Sequence, residues 1–262
     1  MNKIFKKRSL GQHFLCDASA VSKIIESLHM DDTSLVIEIG PGGAALTAHL
    51  YERKPKELIL IEKDQRFYDE LCVKYPQARA FNEDACTVDI SKLSRNKDDQ
   101  FIVVSNLPYN VSTVILENLI SYRQYIPKMV LMFQKEVGER LLAPVNSSEY
   151  GRLTLLVQEY YKAKKVFILK PGSFTPPPKV DSIVVELERL NVPSVKISNR
   201  ELYDKLLAAV FNQRRKMLRR SLKSILKEDE ITKVQTLTAI SLDKRPQELT
   251  IEEYAKISNS LS

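Results

Sequence analysis

The stretch Leu35-Val36-Ile37-Glu38-Ile39-Gly40-Pro41-Gly42-Gly43 decides how the chain reads. An apolar run that ends in a glycine turn is the pattern of a buried strand feeding a helix. Leu58-Ile59-Leu60-Ile61 is a second such run and ends at Glu62. Ala78 to Phe81 is a weaker one, ending at Glu83-Asp84, and Phe101-Ile102-Val103-Val104 runs into Asn106-Leu107-Pro108-Tyr109. The four tips, Gly40, Glu62, Asp84 and Asn106, follow one another at intervals of 22 residues. That interval holds one strand and one short helix. Helical patterns fill the gaps at Ala45 to Arg53, Phe67 to Tyr75 and, less regularly, Val88 to Leu93. Strand alternating with helix predicts an α/β fold, a parallel sheet with all four tips on one edge. Ligands of such sheets sit at that edge.

The tips carry chemistry. Gly40-x-Gly42-x-x-Ala45, with Glu62 20 residues past Gly42, satisfies a dinucleotide fingerprint. S-adenosylmethionine (AdoMet) uses the same tight turn for its amino-acid end and the same acidic residue for its ribose. It is also a cation, so the further carboxylates Glu38 and Asp84 suit it. Asn106 offers an acceptor oxygen for an amine N–H. Pro108 stiffens the turn, and Tyr109 offers a face on which a base can stack. A nicotinamide cofactor has no use for Asn-x-Pro-Tyr, so the pattern favours AdoMet. The plainer alternative is a strand followed by an ordinary Asn/Pro turn.

Composition bounds the rest. With 262 residues, 44% hydrophobic and 28% charged, the chain is an ordinary globular length for one large core and a small extra domain. Cys16, Cys72 and Cys86 are odd in number and form no Cys-x-x-Cys pair, which points to free thiols in a reducing cytoplasm. No apolar run reaches membrane-spanning length, and no long apolar segment follows the N-terminal basic residues, so neither a membrane span nor a secretory signal is expected. His13, His29 and His49 lack ligand spacing, and no metal is expected.

The net charge is +7 and is unevenly spread. Lys3, Lys6, Lys7 and Arg8 give the first eight residues +4, and the segment from Ser194 onward carries +5, leaving −2 between them. That distribution suggests a polyanion partner reached from both ends; a solvated tail and helix face is the plain reading. A boundary is expected near Asn191-Val192-Pro193-Ser194, after an alternating strand from Ser182 to Leu187. Domains of 1–190 and 194–262 follow. In the second, Leu206, Leu207, Val210, Phe211, Leu218, Leu222 and Ile225 recur at helical spacing. Six basic residues and no acid lie between Leu206 and Leu226.

Over nearly its whole length the chain resembles the bacterial small-subunit ribosomal RNA adenine N6,N6-dimethyltransferases of the kasugamycin-sensitivity family. The resemblance is carried by Ser9-Leu10-Gly11-Gln12-His13-Phe14-Leu15, Glu38-Ile39-Gly40-Pro41-Gly42, Ile61-Glu62-Lys63-Asp64, Glu83-Asp84-Ala85 and Asn106-Leu107-Pro108-Tyr109. Gln134-Lys135-Glu136-Val137, Tyr150-Gly151-Arg152-Leu153, Phe174-x-Pro176-Pro177-Pro178-Lys179-Val180-x-Ser182 and Phe211-Asn212-Gln213-Arg214-Arg215-Lys216 continue it. Ala44 stands where the family usually carries glycine, and its methyl is expected to narrow the approach to the cofactor.

The resemblance implies a Rossmann-like AdoMet-dependent methyltransferase sheet with a small C-terminal all-α domain that contacts RNA. Gln12, His13 and Leu15 would cover the cofactor, with Gly40 and Gly42 at its amino-acid end. Glu62 would take its ribose hydroxyls and Asp84 its adenine amine; Glu38 would orient the glycine turn or face the methionine ammonium. Asn106 and the Leu107 carbonyl would accept from the target amine beside Pro108. Tyr109 would stack on the target adenine and Phe174 would close its other face. The implied partner is the small ribosomal subunit and its 16S rRNA, the implied state a monomer. A 23S rRNA adenine N6-methyltransferase of the macrolide-resistance type and an rRNA-binding assembly factor are the rival readings.

Overall fold

A computed structural model of the chain describes residues 13–261. Gln12 and the basic residues Lys3, Lys6, Lys7 and Arg8 lie outside the described residues. The chain forms two compact units. One holds the residues up to Gly138 together with Ala163–Arg189; the other holds Glu139–Lys162 and everything from Leu190 onward.

The first unit is built on the expected sheet. A two-residue strand, β1 (Phe14–Leu15), precedes helix α1 (Ala18–Ser27), which Asp17 caps by accepting from the Ala20 N–H. Strands β2 (Leu35–Ile39), β3 (Glu57–Ile61), β4 (Arg79–Phe81), β5 (Phe101–Asn106) and β6 (Lys128–Gln134) follow. Helices α2 (Thr47–Glu52), α3 (Gln65–Lys74) and α4 (Ser112–Ser121) connect them. The region Val88 to Leu93 supplies only a 3-10 turn, Ile90–Lys92.

The sheet is completed by β7 (Tyr161–Leu169) and β9 (Ser182–Arg189), in the order β4-β3-β2-β5-β6-β9-β7. The strands from β4 to β6 are parallel and β9 runs antiparallel to β6. The chain leaves β2 toward β3 and β4, then returns to β5 on the other side of β2. The topological switch point therefore lies between the tips of β2 and β5, where such sheets bind ligands.

Two expectations change here. The strand Ser182 to Leu187 does not alternate between core and solvent; all six residues are buried, so both faces of β9, an inner strand between β6 and β7, are covered. Its Glu186 is paired with Lys128 at 3.5 Å. Phe174 lies on β8 (Phe174–Thr175), which pairs with β1 away from the main sheet, Leu15 opposite Phe174.

The second unit includes a segment that the linear reading assigned to the first. After α5 (Lys135–Leu141), the residues of α6 (Arg152–Tyr160) join α7 (Arg200–Phe211), α8 (Leu218–Leu222), α9 (Glu228–Thr238) and α10 (Ile251–Asn259). The reason is burial: Ala143, Tyr150 and Leu155 share one apolar core with Tyr203, Leu206, Leu222, Val234 and Tyr254. Arg200 reinforces it by pairing with the buried Glu159 and donating to the Tyr160 hydroxyl at 2.8 Å.

Candidate active site

The four strand tips surround one cavity of about 240 Å³ in the first unit. Its floor is the glycine turn. Gly40 and Gly42 sit at φ +61° and +49°, where a side chain would strain the backbone. A Cβ on Gly42 would also come within 3.0 Å of the Phe14 ring, which β1 lays against the turn. Phe14 was not singled out as a site residue by sequence; its aromatic contact with Phe67 at 5.7 Å holds it there.

Ala44 also adopts a positive φ, 63°. Its methyl does not line the cavity but lies buried in the apolar core with Leu46 and Leu50. The expected narrowing of the cofactor approach is therefore corrected: the methyl points away, and its cost falls on the backbone.

Glu62 stands just past β3 with both oxygens engaged. Oε2 accepts from the Gly42 N–H at 2.9 Å and Oε1 from the Asp64 N–H at 2.8 Å. Burial pushes its carboxyl above the usual range, while those two amides hold it down. Glu62 thus braces the glycine turn through the Gly42 amide. Glu38 itself is 2% exposed, lines the cavity, and leaves Oε2 without a hydrogen-bond partner among the described residues. Burial pushes its carboxyl up to about 8; Thr47 opposes the rise and the nearby Glu62 charge adds to it.

Asp84 follows β4 on a loop held by Asn118, whose amide donates to the Ala85 and Val88 carbonyls. Its Oδ1 accepts from the Cys86 N–H at 3.0 Å and its Oδ2 from Lys63 Nζ at 2.7 Å. The Lys63 ammonium holds the Asp84 carboxyl below its ordinary range. Lys63 and Cys86, both in the cavity lining, are further residues that sequence reasoning did not single out.

Asn106 ends β5. Its Nδ2 donates to the His13 carbonyl at 2.9 Å, and its Oδ1 has no protein partner among the described residues. The Leu107 N–H donates to the Met132 carbonyl at 3.3 Å, extending the sheet ladder one residue past the strand. The Pro108 and Tyr109 carbonyls accept from Val111 and Ser112. Tyr109 Oη is hydrogen-bonded to Ser182 Oγ at 2.5 Å, and the His13 ring stacks on the Tyr109 ring with centroids 5.5 Å apart.

Phe174 is the exception. It is 2% exposed, packs in the apolar core with Leu15 and Leu169, and does not line the cavity. Its β-pairing with Leu15 directs it inward, so the structure does not bring it opposite Tyr109. Leu15 and His13 do line the cavity.

Among the described residues, no group of three or more His, Cys, Asp or Glu side chains is arranged to hold a metal ion. No helix among them is long and apolar enough to cross a membrane.

The chain matches the family Ribosomal RNA adenine dimethylase over residues 4–262. The protein belongs to this family. Among curated relatives, the ribosomal RNA small subunit methyltransferase A of Clostridium botulinum is 38% identical over 258 residues, covering 97% of this chain and 93% of that protein. The Staphylococcus epidermidis protein of the same name is 39% identical over 262 residues, covering 96% and 88%. Among solved structures, a dimethyladenosine transferase from Plasmodium falciparum superimposes with a TM-score of 0.74 at 30% identity, covering 94% of this chain and 96% of that one. The 23S rRNA methyltransferase ErmE superimposes at 0.69 with 21% identity, covering 95% and 99%, a likeness of fold. An rRNA adenine dimethylase needs a donor site, an amine acceptor and a polyanion-binding surface.

Proposed function

We propose that this rRNA adenine dimethylase transfers methyl groups from AdoMet to N6 of two adjacent adenosines in the 3′-terminal hairpin loop of 16S rRNA, on immature small ribosomal subunits in the cytoplasm. The observation that carries the reading is Asn106 at the switch point, its Nδ2 tied back and its Oδ1 unpartnered among the described residues, beside a cavity rimmed by Glu38, Glu62 and Asp84. The relatives named small subunit methyltransferase A support the choice of subunit.

The cavity residues suit AdoMet. Glu38, a buried carboxyl with one oxygen unpartnered among the described residues, suits a cationic ligand, whose charge would favour its ionised form, rather than a pyrophosphate. Gly40 and Gly42 allow close backbone approach. Glu62 keeps spare lone pairs for ribose hydroxyls, and Asp84 is held ionised to accept from an adenine amine. His13 and Leu15 cover this site from β1. AdoMet supplies an electrophilic methyl group on sulfur.

The protein's own part is positioning. Asn106 Oδ1 and the Leu107 carbonyl accept the two N–H bonds of the target amine. As that nitrogen becomes tetrahedral and positive, both acceptors bind its hydrogens more strongly, which lowers the barrier. Pro108 keeps the two acceptors in one rigid turn, and the Tyr109 ring supports the base. The proton leaves to solvent. The helical unit presents exposed Arg215, Lys216 and Arg220 to RNA phosphate.

The test is to incubate the purified protein with labelled AdoMet and immature small or large subunits, and to map the label. Label on adjacent 16S adenosines is expected. Label on 23S rRNA would transfer the protein to the macrolide-resistance type, and binding without label would make it an assembly factor.

A further inference from the structure

The amide of Asn106 can face the cavity with either its oxygen or its nitrogen, and only the oxygen can accept from an amine. What selects the face is a backbone carbonyl. His13 O can only accept, so Nδ2 turns to it at 2.9 Å and Oδ1 turns the other way. The carbonyl is pinned by its own side chain. His13 Nδ1 donates to the Pro176 carbonyl at 2.8 Å, and the imidazole lies on the Tyr109 ring with an interplanar angle of 26°. The next residues continue the tie: Phe14 pairs with Thr175, the Cys16 N–H donates to Ser173 O at 2.9 Å, and Ser173 Oγ donates to Asp17 at 2.9 Å.

We propose that His13 is a positioning residue that sets the orientation of Asn106, and that the Ser173–Pro176 segment governs the amine acceptor through it. This role differs from covering the cofactor, and it rests on the reading of Asn106 as acceptor. It connects the Ser173–Pro176 segment to Asn106 through one residue that touches both.

His13→Ala removes the tie to Pro176 and the stack on Tyr109 but leaves the Phe14–Thr175 pairing. His13→Asn restores a donor for Pro176 without the ring. The assays are single-turnover methylation of immature small subunits, calorimetry with AdoMet, and the nuclear magnetic resonance signal of the Asn106 side-chain amide. His13→Ala is expected to slow the methyl-transfer step at saturating AdoMet about ten- to hundredfold, the cost of a small misplacement, a loss larger than any fall in AdoMet affinity from the cover that His13 also gives. The Asn106 amide signal should shift toward that of a freely rotating side chain, and His13→Asn should recover most of the rate. In an Asn106→Ala background, His13→Ala should cost nothing more. An equal cost in both backgrounds, or a loss of AdoMet affinity with the rate preserved, overturns the proposal. If Asn106→Ala itself methylates at the parent rate, the acceptor reading fails instead.

Discussion

The side-chain nitrogen of Asn106 donates to the His13 carbonyl at 2.9 Å, across 93 residues of sequence. That bond turns the amide oxygen toward the cavity. It makes the orientation of a strand-tip residue depend on the segment that precedes the first helix.

Asn106→Ala should cut turnover about 10²–10³-fold, the effect of losing one preorganised hydrogen-bonding partner in the transition state. Subunit affinity should hold, because phosphate contacts supply most of it. Tyr109→Phe keeps the ring but leaves the fully buried Ser182 hydroxyl without its partner at 2.5 Å. It should retain most activity while losing about 1–3 kcal/mol of stability. Single-turnover methylation and denaturant unfolding separate the two effects.

Glu62→Ala deletes the acceptor for both the Gly42 and the Asp64 amides. It should loosen the glycine turn as well as remove a charge-assisted bond to the ligand, so AdoMet affinity should fall by at least about 1.5–3 kcal/mol. Calorimetry measures it. Unchanged affinity would mean that the turn keeps its shape without Glu62.

Glu38 predicts a pH dependence. Its folded-state carboxyl is pushed up to about 8 from the ordinary 4.5, by burial first and by the Glu62 charge. The folded protein therefore holds a proton that the unfolded chain has released, and stability falls as pH rises from about 4.5 to about 8. Glu38→Gln should flatten that part of the profile and stabilise the ligand-free protein at pH 8. It should also weaken AdoMet binding, since a bound cation favours the ionised Glu38 and Gln cannot supply that charge. Thermal unfolding from pH 4 to 9 checks the first claim; parallel curves for parent and variant would refute it.

The basic residues of the helical unit divide into two sets. Arg214 donates to the Ser148 and Tyr150 carbonyls, and Arg219 pairs with Glu228 and Gln235. Arg215, Lys216 and Arg220 are exposed and without such partners among the described residues. Neutralising these three should lower the log–log salt slope of subunit binding by roughly 0.7–0.9 for each phosphate that the protein no longer neutralises. Arg214→Ala should instead act on stability. A salt slope unmoved by the triple change would make that face a solvated surface.

Ala44→Gly relieves a left-handed backbone, worth about 1–2 kcal/mol, and removes a buried methyl worth about 0.8 kcal/mol. The difference leaves a gain in stability of at most about 1.2 kcal/mol, with AdoMet affinity unchanged. A tighter-binding variant would return the methyl to the cofactor's path.

The α/β sheet, its four tips and the cavity around them were legible in the sequence, because buried strands are written locally as apolar runs and their tips recur at one spacing. Gly40, Glu62, Asp84 and Asn106 could be named without coordinates for that reason. Partners were not legible. Glu62 on the Gly42 amide, Lys63 on Asp84, and His13 between Asn106, Tyr109 and Pro176 are all meetings of residues distant in sequence. Phe174 reads as a base-stacking residue beside its prolines, but its pairing with Leu15 turns it into the core. The segment Glu139–Lys162 joins the helical unit because Tyr150 and Leu155 find their apolar partners there. Local pattern determines which residues must be buried or must end a strand. Which side chain fills which space is decided only when the whole chain has folded, since packing and hydrogen bonding depend on all the neighbours at once.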